Sequence, residues 1–162
     1  MAIANEPKIL IADEPTTALD VTVQAQVMEV LRDVQEATGS AMLLITHDLG
    51  LVAGAADRVR VMYASRLVET GGVDDIFYRS RNPYTRALLD SIPDLVSETD
   101  RLIPIPGNPP SLLNPPSGCP FRPRCSMASE VCADSVPLLE TVGDGHSSRC
   151  HHADLLAVEA TS

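Results

Sequence analysis

The sequence holds no tryptophan, two phenylalanines and three tyrosines in 162 residues, and Lys8 is its one lysine. With a net charge of −10 as well, it lacks the clustered Lys and Arg of a nucleic-acid surface, so no nucleic acid is expected as a partner. Long apolar runs are missing too. Ala41–Ile45 is the longest, strand-sized and far short of the roughly 18–20 residues that a membrane-crossing helix needs. The first residues show no basic segment leading into an apolar core and cleavage site, so the reading has no secretory signal and cytoplasmic residence. A phosphate-binding loop needs glycines followed by Lys and Ser or Thr, whose backbone N–H groups and ammonium hold the phosphates. No glycine precedes Lys8. There is no internal repeat.

What is present suits a globular protein, 44% hydrophobic and 21% charged, of one domain or one domain with an appendage. Lys8–Ala12 reads as a buried strand. Val21–Ala37 reads as a helix with Val23, Val27, Val30, Leu31 and Val34 on its apolar stripe, Asp20 as its cap and Gly39 just past its end. Ala41–Thr46 reads as a second buried strand and Leu49–Ala56 as a short helix. An extended stretch, Arg58–Thr70, is closed by Gly71-Gly72, and short helices are expected at Val73–Arg79 and Pro83–Ser91. Strand, helix and strand with continuous apolar strands indicate an α/β fold on a parallel sheet covered on both faces. From Pro104 the text changes: eight prolines fall between Pro104 and Pro123, which excludes regular structure there. The division is therefore 1–96 and 97–162.

Asp13-Glu14 stands where the first strand stops, and Pro15, which cannot donate to a ladder, helps stop it. Ligands of open α/β sheets sit beyond such strand ends. One acid there can hold Mg²⁺, and a second can polarise an attacking water. An isolated Asp-Glu pair is usually only a surface turn. Here Thr17-Ala18-Leu19-Asp20 follows at once, and Thr46-His47-Asp48 ends the next strand, which puts a histidine near the carboxylates. Taken alone, such a histidine is more often structural or solvated.

The run Leu10-Ile11-Ala12-Asp13-Glu14-Pro15-Thr16-Thr17-Ala18-Leu19-Asp20 resembles the Walker B and D-loop segment of ABC ATPases, and Thr46-His47-Asp48-Leu49 resembles their switch-histidine loop. The resemblance implies that Asp13 organises Mg²⁺, that Glu14 is the catalytic base or positions water, and that His47 contacts the γ-phosphate. Asp20 would lie at the interface with a second ATPase subunit, a role compatible with capping a helix. Asp74-Asp75-Ile76-Phe77, Asn82-Pro83-Tyr84-Thr85-Arg86-Ala87-Leu88-Leu89, Ile105-Pro106-Gly107 and Gly118-Cys119-Pro120-Phe121-Arg122-Pro123-Arg124-Cys125 narrow it. They resemble the C-terminal extension of oligopeptide/dipeptide importer ATPases, a group that includes nickel importers. The expectation is therefore the C-terminal half of a P-loop-type ABC ATPase sheet at 1–96, followed by a small irregular Cys-rich extension at 97–162. The P-loop and signature loop of that family are not in these residues, and the chain is expected to start midway through the ATPase domain, as a truncation.

Cys119, Cys125, Cys132 and Cys150 are the four cysteines. Clustered in a cytosolic protein, they point to metal more than to disulfides. Their spacing matches neither tight zinc knuckles nor the ferredoxin runs, so the metal stays open. The family likeness implies a [4Fe–4S] cluster, with zinc, disulfides and free thiols as alternatives. His146, His151 and His152 are candidate zinc ligands, with solvated tail histidines as the plainer reading. Arg122, Arg124 and Arg149 either offset thiolate charge or are ordinary surface arginines. The functional expectation is an ATP- and Mg²⁺-using subunit on the cytoplasmic face of the membrane that powers peptide import. Its partners would be a second ATPase subunit, two permease subunits and, indirectly, an extracytoplasmic solute-binding protein. The alternative is a truncated, non-catalytic assembly or regulatory module carrying the metal site. A stand-alone iron–sulfur redox protein would leave the strand-end motifs unexplained.

Overall fold

A computed structural model describes residues 5–92 and 104–157. The boundary expected at residue 96 lies outside the described residues. By contacts the chain forms two compact units, Met1–Ala56 and Asp57–Ser162.

The first unit runs β1 (Ile9–Asp13), α1 (Val21–Thr38), β2 (Ala41–Ile45), α2 (Leu49–Ala55). β1 and β2 pair in parallel, Ile9 opposite Ala41 through Asp13 opposite Ile45. The side chain of Asp20 accepts from the N–H groups of Thr22 and Val23 and caps α1, and Gly39 ends it at φ 63°, which glycine adopts without strain. The buried stripe of α1 differs from expectation. Met28 is its buried residue, whereas Val23 and Val30 are exposed. Helical spacing places Gln24, Val27, Met28 and Leu31 on one side, so the expected stripe holds at Val27 and Leu31 and fails at Val23 and Val30. The sheet also departs from the expected cover on both faces. Leu10 and Ala12 are buried, but Ile9, Ile11, Leu43 and Ile45 on the opposite face are 45–63% exposed.

In the second unit the stretch read as one extended segment is an antiparallel hairpin, β3 (Arg58–Tyr63) and β4 (Arg66–Gly72). Ala64 and Ser65 turn it with φ of 47° and 60°, a two-residue turn that residues other than Gly, Asn or Asp seldom signal in sequence. α3 (Val73–Tyr78) follows, and then α4 (Pro83–Asp90), capped by Asn82 with proline at its first position. No regular element occurs between residues 104 and 121, as the prolines require. The tail is less irregular than expected. It has a 3₁₀ turn at Arg122–Arg124, α5 (Val131–Asp134), and strands β5 (Glu140–Gly143) and β6 (His146–Ser148). β6 pairs antiparallel with β4, giving a four-stranded sheet in the order β3-β4-β6-β5. Packing therefore joins residues on either side of the composition change into one unit, because the tail supplies strands to the hairpin's sheet. Three of the five aromatic side chains meet there: Tyr63 lies 4.4 Å from Tyr84 and 5.4 Å from Phe121, ring centre to ring centre.

Among the described residues no helix is long and apolar enough to cross a membrane.

Candidate functional site

Two groups of side chains stand out, one in each unit. In the first, β1 ends at Asp13, and the N–H of Glu14 still donates to the carbonyl of Ile45 at 2.8 Å. That bond ties Glu14 to the end of β2, two residues before His47. Glu14 has φ 45° and Ala18 φ 61°, left-handed backbone that is uncommon outside glycine and clusters at functional sites. The Glu14 carboxylate meets His47, with Nδ1 3.3 Å from Oε1, and accepts from Thr17 Oγ1 at 2.8 Å. Both side chains are open to solvent, His47 78% and Glu14 49% exposed. The Thr17 hydroxyl, then His47, hold the Glu14 carboxyl below the usual carboxylate range. Asp13 is also exposed at the strand end, and Asp20 faces its own helix terminus. The structure thus brings Glu14 and His47 together, places Asp13 next to them along the chain, and engages Asp20 as a cap.

Sequence reasoning missed three supporting residues. Thr17 fastens Glu14 across a turn in which its N–H also bonds to the Glu14 carbonyl. Asp48 caps α2 through the N–H groups of Gly50 and Leu51, and Gln24 Nε2 donates to its other oxygen at 2.7 Å. The Gln24 amide, more than the cap, keeps Asp48 ionised to lower pH than usual. A threonine three residues after the glutamate was the available signal for Thr17. Nothing local couples Gln24 to a residue 24 positions on.

The second group is the cysteines. All four line one cavity of about 30 Å³, together with Tyr63, Val68, Asn82, Phe121, His151 and His152. None is disulfide-bonded. Cys119 and Cys132 are drawn together by the Cys119 N–H, which donates to the Cys132 carbonyl at 2.8 Å. Gly118, at φ 67°, makes this approach possible, since a Cβ there would stand 2.3 Å from the Cys132 carbonyl oxygen. Burial raises the thiols of Cys119 and Cys125 and pushes Cys150 up to about 11, with the neighbouring cysteines adding to the effect. The donors are four soft sulfurs on one cavity, a set suited to iron–sulfur clusters or zinc. Among the described residues, however, no three His, Cys, Asp or Glu side chains converge closely enough to hold a metal as they stand.

The flanking residues have duties that the sequence did not reveal. His152 Nε2 lies 2.8 Å from Ser129 Oγ and 3.7 Å from Cys132 Sγ, while His151 donates to the Ser135 carbonyl. His146 is no solvated tail histidine. It is 4% exposed and bonded to Glu69. Arg124 donates to the carbonyls of Ile105 and Pro106, and Arg149 to those of Leu67 and Pro137, so both clip backbone in place. Arg122 reaches Ser117 Oγ at 3.5 Å.

Residues 68–132 match the family described as the oligopeptide/dipeptide transporter, C-terminal region. Across 96% of its length the chain is 51% identical to the oligopeptide transport ATP-binding protein of Mycobacterium tuberculosis, covering 26% of that protein. It is 51% identical to the oligopeptide transport ATP-binding protein of Salmonella typhimurium over 93% of the chain and 44% of the relative. The dipeptide transport ATP-binding protein of Escherichia coli is 49% identical over 94% of the chain and 46% of the relative. Over nearly its whole length the chain is similar to ATP-binding proteins of oligopeptide and dipeptide transport. It spans less than half the length of these relatives. The similarity takes in both compact units, and with them the stretches Leu10–Asp20 and Asn82–Leu89.

Proposed function

We propose that the chain contributes the water-activating edge of an ATP-hydrolysing site in a peptide importer. The observation that carries this reading is the Glu14–His47 contact at the end of a parallel strand pair, with Glu14 held in left-handed backbone. Strand-end carboxylates suit Mg²⁺-assisted phosphoryl transfer, in which the protein mainly positions water and stabilises charge. Asp13 would organise Mg²⁺ through water, Glu14 would orient or deprotonate the attacking water, and His47 would meet the γ-phosphate. Asp20 would face a second ATPase subunit. Residues 1–96 would belong to the ATPase domain and 97–162 to its extension. Two permease subunits and, indirectly, a solute-binding protein would complete a transporter with this chain on the cytoplasmic face of the membrane. Peptides are the proposed cargo, in keeping with the names of its relatives.

The test is a fusion that places a relative's P-loop and signature segments ahead of Met1. ATP hydrolysis is expected, and Glu14→Gln should slow it by roughly 10²–10⁴-fold while leaving ATP binding intact, since the amide cannot act as a base. Glu14→Gln turning over at the parent rate would remove Glu14 from the mechanism. A fusion that binds metal but hydrolyses no ATP would favour the alternative, an assembly or regulatory module.

Cys119, Cys125, Cys132 and Cys150 would hold the metal, whose thiolate bonds would supply the cross-links that a small, proline-rich segment cannot obtain from apolar burial. A shared cavity supports this reading, and binding would have to draw the sulfurs inward and displace their protons. Protein purified without oxygen should carry about four irons per chain if the group is a [4Fe–4S] cluster. One zinc per chain and no iron would make it a structural zinc site, and neither metal would return the cysteines to plain cavity lining.

A further inference from the structure

We propose that the buried Glu69–His146 pair is a latch that holds the cysteine-bearing tail on the β3–β4 hairpin whether or not metal is bound. β6 is three residues long and pairs with β4 at two positions, Glu69 with Ser148 and Thr70 with Ser147. So short a ladder is a weak fastening by itself. Glu69 is fully buried and His146 is 4% exposed, with His146 Nε2 2.9 Å from Glu69 Oε1. Glu69 also accepts from the Arg81 N–H and from Ser80 Oγ, so one carboxylate gathers β4, the loop before α4 and β6. A second bond closes the ring, from Ser148 Oγ to the Arg81 carbonyl at 2.8 Å. Gly71 makes room for the imidazole, since a Cβ there would lie 3.2 Å from His146 Cδ2. Asp75 adds a second carboxylate in the field of His146.

The consequence reaches the cysteines through three residues of chain. Arg149 follows β6, and its N–H and guanidinium bond to the carbonyls of Val68 and Leu67, while Asn82 Nδ2 bridges Val68 and Arg149. Cys150 comes next, and Val68 and Asn82 form cavity wall. Releasing β6 therefore opens the cavity on the hairpin side. A buried carboxylate that loses its partner is the costly state, so His146 contributes most by being opposite Glu69.

This proposal does not depend on the metal reading, because the experiment uses the 162-residue chain stripped of metal. Maleimide labelling of each cysteine is followed by mass spectrometry, alongside amide exchange of β6 and α1. His146→Ala should label Cys119 and Cys150 roughly tenfold faster or more, as a buried acceptor left without its donor implies. Protection of β6 should fall and that of α1 should stay. Adding Glu69→Gln to His146→Ala should restore part of the slow labelling, since the stranded charge is gone. Labelling of His146→Ala at the parent rate overturns the proposal. A double variant as fast as the single one overturns it too, leaving only imidazole packing. So does loss of α1 protection in step with β6, since a latch releases one strand rather than unfolding the chain.

Discussion

Glu14 sits in left-handed backbone one residue past a strand, with φ of 45° at a glutamate. Thr17 and the ladder bond to Ile45 hold it there. The Thr17 hydroxyl donates to the charged form of Glu14, and so favours it. The sign follows: a folded-state pKa below the unfolded one contributes stability above the unfolded value, and that contribution is lost as pH falls through the folded value. Thr17→Ala should therefore move the Glu14 midpoint up toward the ordinary carboxylate range, read by carboxyl-carbon NMR titration. A midpoint that stays put would assign the depression to His47 instead. Asp20 is engaged locally instead, accepting from the N–H groups of Thr22 and Val23 as the cap of α1.

At the scale of elements, the tail is attached by chemistry that its composition hides. Proline prevents regular structure over residues 104–121, yet Phe121 is 5% exposed and packs edge-on against Tyr63 and Tyr84. Those rings come from β3 and α4, so a protein poor in aromatics places most of them at one junction. Phe121→Ala should cost about 3–5 kcal/mol, the range for truncating a buried aromatic. Urea unfolding followed by tyrosine fluorescence would measure it, and a loss within experimental scatter would mean that the junction is held by the Arg124 and Arg149 clips alone.

At the scale of the whole molecule, one face of the β1–β2 pair is bare. Ile9, Ile11, Leu43 and Ile45 form an apolar strip on a parallel sheet, an architecture that ordinarily has both faces covered. Such strips promote association in water. The 162-residue chain is expected to self-associate as its concentration rises, and Ile11→Lys with Leu43→Lys should shift it toward monomer in sedimentation velocity. A parent chain that stays monomeric throughout would show that the strip is too small to drive association.

The local chemistry of the residues determined a good deal without help. Apolar runs closed by Pro15 and Gly39 marked β1 and α1, Asp20 and Asn82 marked helix starts, and the strand-end motif marked Glu14 and His47 as neighbours. Each of these rests on interactions within a few residues, or on a strand end where topology leaves little choice. Only the tertiary structure decided the rest. Whether Val30 or Met28 is buried depends on which way α1 faces. A hairpin turned by Ala64-Ser65 carries no glycine to announce it. Glu69 and His146 are 77 positions apart, and nothing in either neighbourhood distinguishes a buried pair from two solvated side chains. Desolvation is a property of the surroundings, and those surroundings exist only once β6 has docked on β4.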